Sequence, residues 1–241
     1  MAPKKKPTKK PSKSSGSSIA ATWMKVAKAR GMTAQPPAAR KSGAALWSML
    51  EDPLPSVRQA AGFALASLRD PSIVQAFILE LEGASSARAA RAAITLGEAG
   101  FQNAAPYFIA AFTRADAKAS AAFARALGLL AERSAAPLLI EALEDDFVPT
   151  EAAVALGQLN DASAVPALTR ALSHKKDTVR AAAAYALACL EGSSEEEERG
   201  VRRRLHELTA DASRRVRLCA AVALFERGDD AGLEAIRAAL Q

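Results

Sequence analysis

A three-residue phrase returns through this chain at a nearly constant interval: Ala64-Leu65-Ala66, Thr95-Leu96-Gly97, Ala126-Leu127-Gly128, Ala155-Leu156-Gly157, Ala186-Leu187-Ala188 and Ala223-Leu224-Phe225. Its leucines lie 31, 31, 29, 31 and 37 residues apart. A period of this length marks a stacked repeat, in which a unit too small to bury its apolar face alone buries it against its neighbours. A second phrase follows nine residues behind three of the glycines, as Ala105-Pro106, Ala136-Pro137 and Val165-Pro166. The segments it belongs to end on Leu81, Phe112, Leu143, Leu172, Leu208 and Leu240, in the same rhythm.

Each unit reads as two helices. The first segment, such as Asp177–Leu190, has apolar residues at helical spacing. A turn rich in Gly, Asp, Asn or Ser ends it. The proline then falls in the first turn of the second helix, where its missing N–H costs nothing. Composition agrees: half the residues are hydrophobic, only 5% are aromatic, and alanine is abundant. Alanine favours helix and lets helices approach closely. The expected fold class is all-α, a right-handed α-solenoid of roughly six to seven stacked helix pairs.

The pairs Val57-Arg58, Val179-Arg180 and Val216-Arg217, the Ala-Leu-Gly phrases and the Ala/Val-Pro-x-x-Leu helix starts together resemble the HEAT repeat, in the short bacterial form named after phycobilisome lyases. The resemblance covers residues 52–241 with six units. Two central units depart from it, with Ser120 and Pro149 where arginine would fall. Residues 51–241 are therefore expected to hold six HEAT-like repeats. Residues 19–50, with helices at Ala20–Arg30 and Gly43–Leu50, read as a degenerate capping pair, since terminal repeats are atypical. At the other end the segment with Leu233, Ile236 and Leu240 carries no polar cap.

Between the fifth and sixth units an insertion reads Gly192-Ser193-Ser194-Glu195-Glu196-Glu197-Glu198. Ser194 with Glu197 fits a capping box, and acids in a first helical turn suit the helix dipole. Arg199, Arg202, Arg203 and Arg204 follow at pairing distance. A self-neutralised, solvated helix explains the run better than a cation site.

Residues able to do chemistry are few. His174 and His206 do not stand at metal-ligand spacing with Cys189 or Cys219, so no metal is expected. Both cysteines fall on alanine-rich helices and are expected to be buried as small hydrophobes. There is no glycine-rich phosphate loop and no nucleophile elbow. Among enzymes that resemble this repeat, deoxyhypusine hydroxylases imply repeated His-Glu pairs, and His206-Glu207 occurs once. A helical-repeat DNA glycosylase implies a groove of cations and aromatics. The second helices instead align Ser48, Leu79, Ala110, Glu141 and Arg170 on their solvent-facing midline, with no basic stripe. A bilin lyase, implied by the lyase-type repeats, is contradicted by no single motif. No catalytic residue and no cofactor is expected.

Binding is the remaining task. Leu79, Tyr107, Leu138, Glu141 and Arg170 are the expected protein-binding surface, apolar to polar, suited to an extended peptide or a partner helix. A parallel apolar column, Trp47, Ile78, Ile109 and Ile140, ending at Thr169, lies nearer the core and reads as inter-repeat packing.

The charge is divided. The net +6 arises from +11 in residues 1–50 and −5 in residues 51–241. Residues 1–18 form a Lys-rich segment with no acid, expected to be disordered. Its Lys4, Lys5, Lys6, Lys9, Lys10 and Lys13 are the expected tether for nucleic acid or another anionic surface, without sequence readout. No secretory h-region and no run of roughly 20 apolar residues is present, so a membrane is not an expected partner and a cytoplasmic or nucleoid location is. The expected function is a non-catalytic protein-binding scaffold with a basic tail. The alternatives are a nucleic-acid-associated protein and a bilin lyase or lyase subunit. The alanine-rich body points to a bacterial source.

Overall fold

Gly157 and Ala186 show how the repeat stacks. A Cβ on Gly157 would lie 2.8 Å from the Ala186 Cα, so the two helices meet with almost no side chain between them. In the same way Gly97 lies against Ala126, and Gly128 against Ala155. The glycine of each Ala-Leu-Gly phrase thus docks on the alanine that opens the next one. The recurring phrase is the contact itself.

The computed structural model describes residues 86–98, 100–145, 147–191 and 194–240, with scattered positions between 49 and 64. The lysine tail, Leu79 and the expected helices Ala20–Arg30 and Gly43–Leu50 (apart from Met49, which is helical) lie outside the described residues. By internal contacts the chain divides into Met1–Leu79 and Glu80–Gln241. In the second unit the helices are α1 (Ser86–Glu98), α2 (Ala105–Phe112), α3 (Ala117–Leu129), α4 (Ala136–Ala142), α5 (Pro149–Leu159), α6 (Val165–Ala171), α7 (Asp177–Cys189), α8 (Glu195–Leu208), α9 (Arg214–Glu226) and α10 (Ala231–Leu240). No strand occurs among the described residues.

Odd-numbered helices are the first of each pair. They pack side by side in chain order, α1 on α3 through to α7 on α9, while α2, α4, α6 and α8 each pack on the first helix that follows. This is the stacked helix-pair solenoid the period implies. Its core is mostly alanine and leucine, with Leu96, Leu127, Leu156, Leu187 and Leu224 fully buried. Phe108 of α2 and Phe123 of α3 stack at 5.9 Å between ring centroids, the bulkiest buried pair. Burial of each ring contributes about 2–3 kcal/mol.

The turns follow a rule that the sequence half disclosed. Gly100, Ala131, Asn160 and Gly228, each just past a first helix, have φ of +73°, +50°, +48° and +72°. At three of them the next residue's N–H reaches back five positions, Phe101 to Leu96 O, Glu132 to Leu127 O and Asp229 to Leu224 O, closing a Schellman turn. A 3₁₀ turn then leads into α2, α4 and α6, whose prolines sit at the first or second position as expected. Asp161 and Glu132 hold two of these turns by accepting the Ser163 and Ser134 N–H groups.

The arginine of the Val-Arg pair closes the end of the preceding second helix. Arg180 Nη1 donates to His174 O at 2.9 Å and Lys175 O at 3.2 Å. Arg217 Nη1 donates to Asp211 O at 2.8 Å and Ala212 O at 3.0 Å. Where Ser120 replaces the arginine, its buried hydroxyl donates to Phe112 O at 3.1 Å. The substitution keeps the orphan carbonyl satisfied.

Two expectations are corrected. Cys189 is exposed and Cys219 half-buried, because the alanine face that buries a helix stops short of the positions they occupy. And α10 does not sit as the other second helices do. It lies directly along α9, where a Cβ on Gly232 would meet Ala221 O at 2.7 Å.

Candidate functional site

An open groove of about 240 Å³ runs between α4 and α6. Ile140, Leu143, Ala167 and Ala171 make its apolar floor, and Glu144, Arg170, Ser173 and His174 its polar rim. It exists because second helices lack the glycine-on-alanine contact of the first. Side chains, not backbone, set their spacing. At this volume it holds one or two side chains, below the ~300–1,000 Å³ of small-molecule sites.

The rim is loosely paired. Arg170 Nη2 lies 3.7 Å from Glu144 Oε1, and both side chains are well exposed, so water screens the pair. The far wall is held more firmly. His174 Nδ1 accepts the Lys176 N–H at 3.0 Å, and the His174 carbonyl accepts from Arg180. Arg180 is fixed in turn by Asp211, whose carboxyl lies below the usual aspartate range chiefly because Arg180 hydrogen-bonds it. A residue of the repeat framework thereby positions the groove.

The sequence-derived surface is partly assembled here. Arg170 lines the groove. Ala110, Glu141 and Arg170 are all exposed, as the midline alignment requires. Tyr107 is 39% exposed on α2 and Leu138 half-buried on α4, but neither lines the groove. Ile140, read as packing, is half-buried and contributes to the floor. Glu144, Ser173 and His174 were missed. They follow the terminal leucines of the second helices, and a cleft between two helices belongs to no single column.

The inserted helix α8 opens with the expected capping box, and its arginines divide: Arg202 pairs with Glu198 of the run, Arg204 with Glu207 beyond it, and Arg199 donates to the Glu195 carbonyl. Ser194 and Glu197 form the capping box, with the Ser194 N–H donating to Glu197 Oε2 at 2.9 Å. Glu198 pairs with Arg202 at 2.8 Å and also with Arg227, whose side chain is 7% exposed. Arg227 in turn donates to the Leu187 and Leu190 carbonyls at the end of α7. Burial pushes the Arg227 guanidinium below its usual range, and Glu198 opposes that shift. His206 pairs with Asp229 at 2.8 Å. No cluster of His, Cys, Asp and Glu that could hold a metal ion is found among the described residues. No helix among them is long and apolar enough to cross a membrane.

Stacked helix pairs, arginines that close the ends after α6 and α8, and an open cleft between second helices define an α-solenoid. Residues 148–199 match HEAT repeats and residues 121–145 match the PBS lyase HEAT-like repeat, so these two stretches of the solenoid are HEAT-like repeats. An engineered protein of solved structure shares the fold at a TM-score of 0.56 with 19% identity, covering 80% of this chain and 98% of that one. A second engineered protein aligns at 0.54 with 23% identity, covering 76% and 96%. The complex of CpcE and CpcF of phycocyanin lyase from Nostoc sp. PCC7120 aligns at 0.48 with 22% identity, covering 80% and 93%. No curated protein sequence matches the chain.

Proposed function

We propose that this protein is a non-catalytic scaffold whose groove between α4 and α6 seats an apolar side chain of an extended peptide or partner helix. One observation carries the reading: an apolar floor of side-chain size beside Arg170, a cation only loosely held by Glu144. A ligand carboxylate displaces Glu144 from Arg170 at little cost, because a screened surface pair is worth about 0–1 kcal/mol. Tyr107, Leu138 and Glu141 extend the contact along the second helices. The Lys-rich segment, with Lys4 to Lys13, adds salt-sensitive attachment to a polyanion.

Selection of a displayed peptide library on the intact protein tests the groove. Binders should pair an acidic residue with a nearby Leu or Phe and be lost with Arg170→Glu or Ala171→Arg. Binders indifferent to both substitutions refute the assignment. For the tail, a gel-shift assay with and without residues 1–18 should show DNA affinity vanishing with the lysines. Tight DNA binding by the remainder would make nucleic acid the main ligand instead.

A second reading, a bilin lyase or lyase subunit, is favoured by the lyase-type repeat at residues 121–145. Co-expression with a bilin and an acceptor phycobiliprotein decides it, since covalent chromophore addition would make the protein an enzyme.

A further inference from the structure

The turns after α4, α6 and α8 are closed in one way. The third residue past each helix is Asp145, His174 and Asp211 in turn. Asp145 Oδ1 accepts the Phe147 N–H at 3.0 Å, and Asp211 Oδ1 accepts the Ser213 N–H at 2.8 Å. His174 Nδ1 accepts the Lys176 N–H at 3.0 Å in the same register. The turn needs one side-chain acceptor, which a carboxylate supplies as well as an imidazole does. Of the three closing residues, His174 is the one that lines the groove between α4 and α6.

An imidazole has something left over that a carboxylate lacks. With Nδ1 accepting, the ring proton is on Nε2, a donor that the turn does not use. Arg170 precedes His174 by four residues, and both line the groove. The chain between them continues as a helical turn, with the Ser173 N–H on Arg170 O and the His174 N–H on Ala171 O, both at 3.1 Å. Residues four apart in such a turn face the same way. Two donors thus border the apolar floor at Ala167 and Ala171, and the rim's one acid, Glu144, belongs to the end of α4. The negative end of α6 is offset by Arg180, which donates to the His174 and Lys175 carbonyls.

We propose that the His174 Nε2–H is the second donor to the ligand's carboxylate, after Arg170, and that the two make the groove selective for a carboxylate over a carboxamide. This rests on the peptide-binding reading of the groove. Both oxygens of a carboxylate accept, one from each donor. A carboxamide has one accepting oxygen and turns its NH2 against the other donor, and a site built to hydrogen-bond a group rejects a ligand that leaves a partner unmatched. The partner is therefore a segment with an aspartate or glutamate beside its apolar anchor, and its asparagine or glutamine counterpart is refused.

Isovalerate, an isobutyl group on a carboxylate, and isovaleramide are the probes. Each is titrated into the full chain, isotope-labelled at histidine nitrogens and alanine methyls, and followed by NMR. Isovalerate should move the Ala171 methyl and the His174 Nε2 resonances together, and isovaleramide should bind about tenfold more weakly. His174→Asn keeps the turn, because its carboxamide oxygen accepts the Lys176 N–H, but its shorter side chain carries no donor at the Nε2 position. That variant should weaken isovalerate about tenfold and narrow the difference between the probes. Isovalerate that moves Ala171 without His174 Nε2, or an amide that binds equally well, overturns the assignment and leaves the groove standing as a peptide site. Probes that move neither Ala167 nor Ala171 overturn the groove reading as well.

Discussion

Arg180 of α7 holds Asp211, 31 residues further along the chain, through two parallel hydrogen bonds of 2.9 Å, Nε to Oδ2 and Nη2 to Oδ1. Its remaining nitrogen serves the carbonyls of His174 and Lys175. One side chain thus fastens one repeat to the next and shapes the groove wall. Arg180→Ala should cost about 2 kcal/mol, since charge-assisted hydrogen bonds among mostly buried groups are lost. Arg180→Lys should recover little of it, because an ammonium cannot form the fork. Urea unfolding of the three proteins measures both.

The same pair has a pH signature. The folded-state pKa of Asp211 is depressed, chiefly by Arg180. Its contribution is therefore fully present above the unfolded value near pH 4 and lost as pH falls through the lower folded value. As pH falls below about 4, stability of the parent should drop more steeply than that of Asp211→Asn. Equal slopes in the two proteins would show that Asp211 contributes nothing to acid sensitivity.

Gly157→Val should lower stability by about 2–3 kcal/mol, because the new side chain meets the Ala186 backbone, which cannot yield. Gly200 in α8 is the control. A Cβ there meets nothing within 4 Å, so Gly200→Ala should stabilise by about 1 kcal/mol through helix propensity. Thermal unfolding of both variants should move in opposite directions.

Ala131 is a non-glycine residue at positive φ in a turn where Gly100 and Gly228 take the same conformation. The left-handed region costs an L-residue about 1–2 kcal/mol, part of which glycine's greater unfolded-state entropy offsets. Ala131→Gly should therefore raise stability by up to about 1 kcal/mol, and Gly228→Ala should lower it similarly. A destabilised Ala131→Gly would mean that the turn is not left-handed in solution.

Arg227 is the most deeply buried cation among the described ion pairs, bridging Glu198 of α8 and the last carbonyls of α7. Arg227→Met fills similar space but leaves the Leu187 and Leu190 carbonyls without their donor, while Glu198 keeps Arg202. A loss of about 2 kcal/mol is expected, because buried acceptors go unsatisfied. A double-mutant cycle of Arg227→Met with Glu198→Gln measures how much of that loss belongs to the ion pair.

The repeat was legible in the sequence because a helix pair that cannot bury its own apolar face must restate its contacts in every unit. The prolines that open α2, α4 and α6 and the Ser194–Glu197 capping box are local devices. Each depends on residues close in the chain, and each appears in the fold as read. Tertiary structure decided what lies between repeats. The phrase's glycine proved to dock on the alanine that opens the next phrase, and Arg180 proved to reach Asp211. The groove formed from the ends of two helices that no single register aligns. Phe225 was only another letter in the last phrase until packing left its ring half exposed. Periodicity reports which face of a helix is buried. What that face is buried against, and which part of it remains uncovered, depends on distances between segments that the order of residues does not contain.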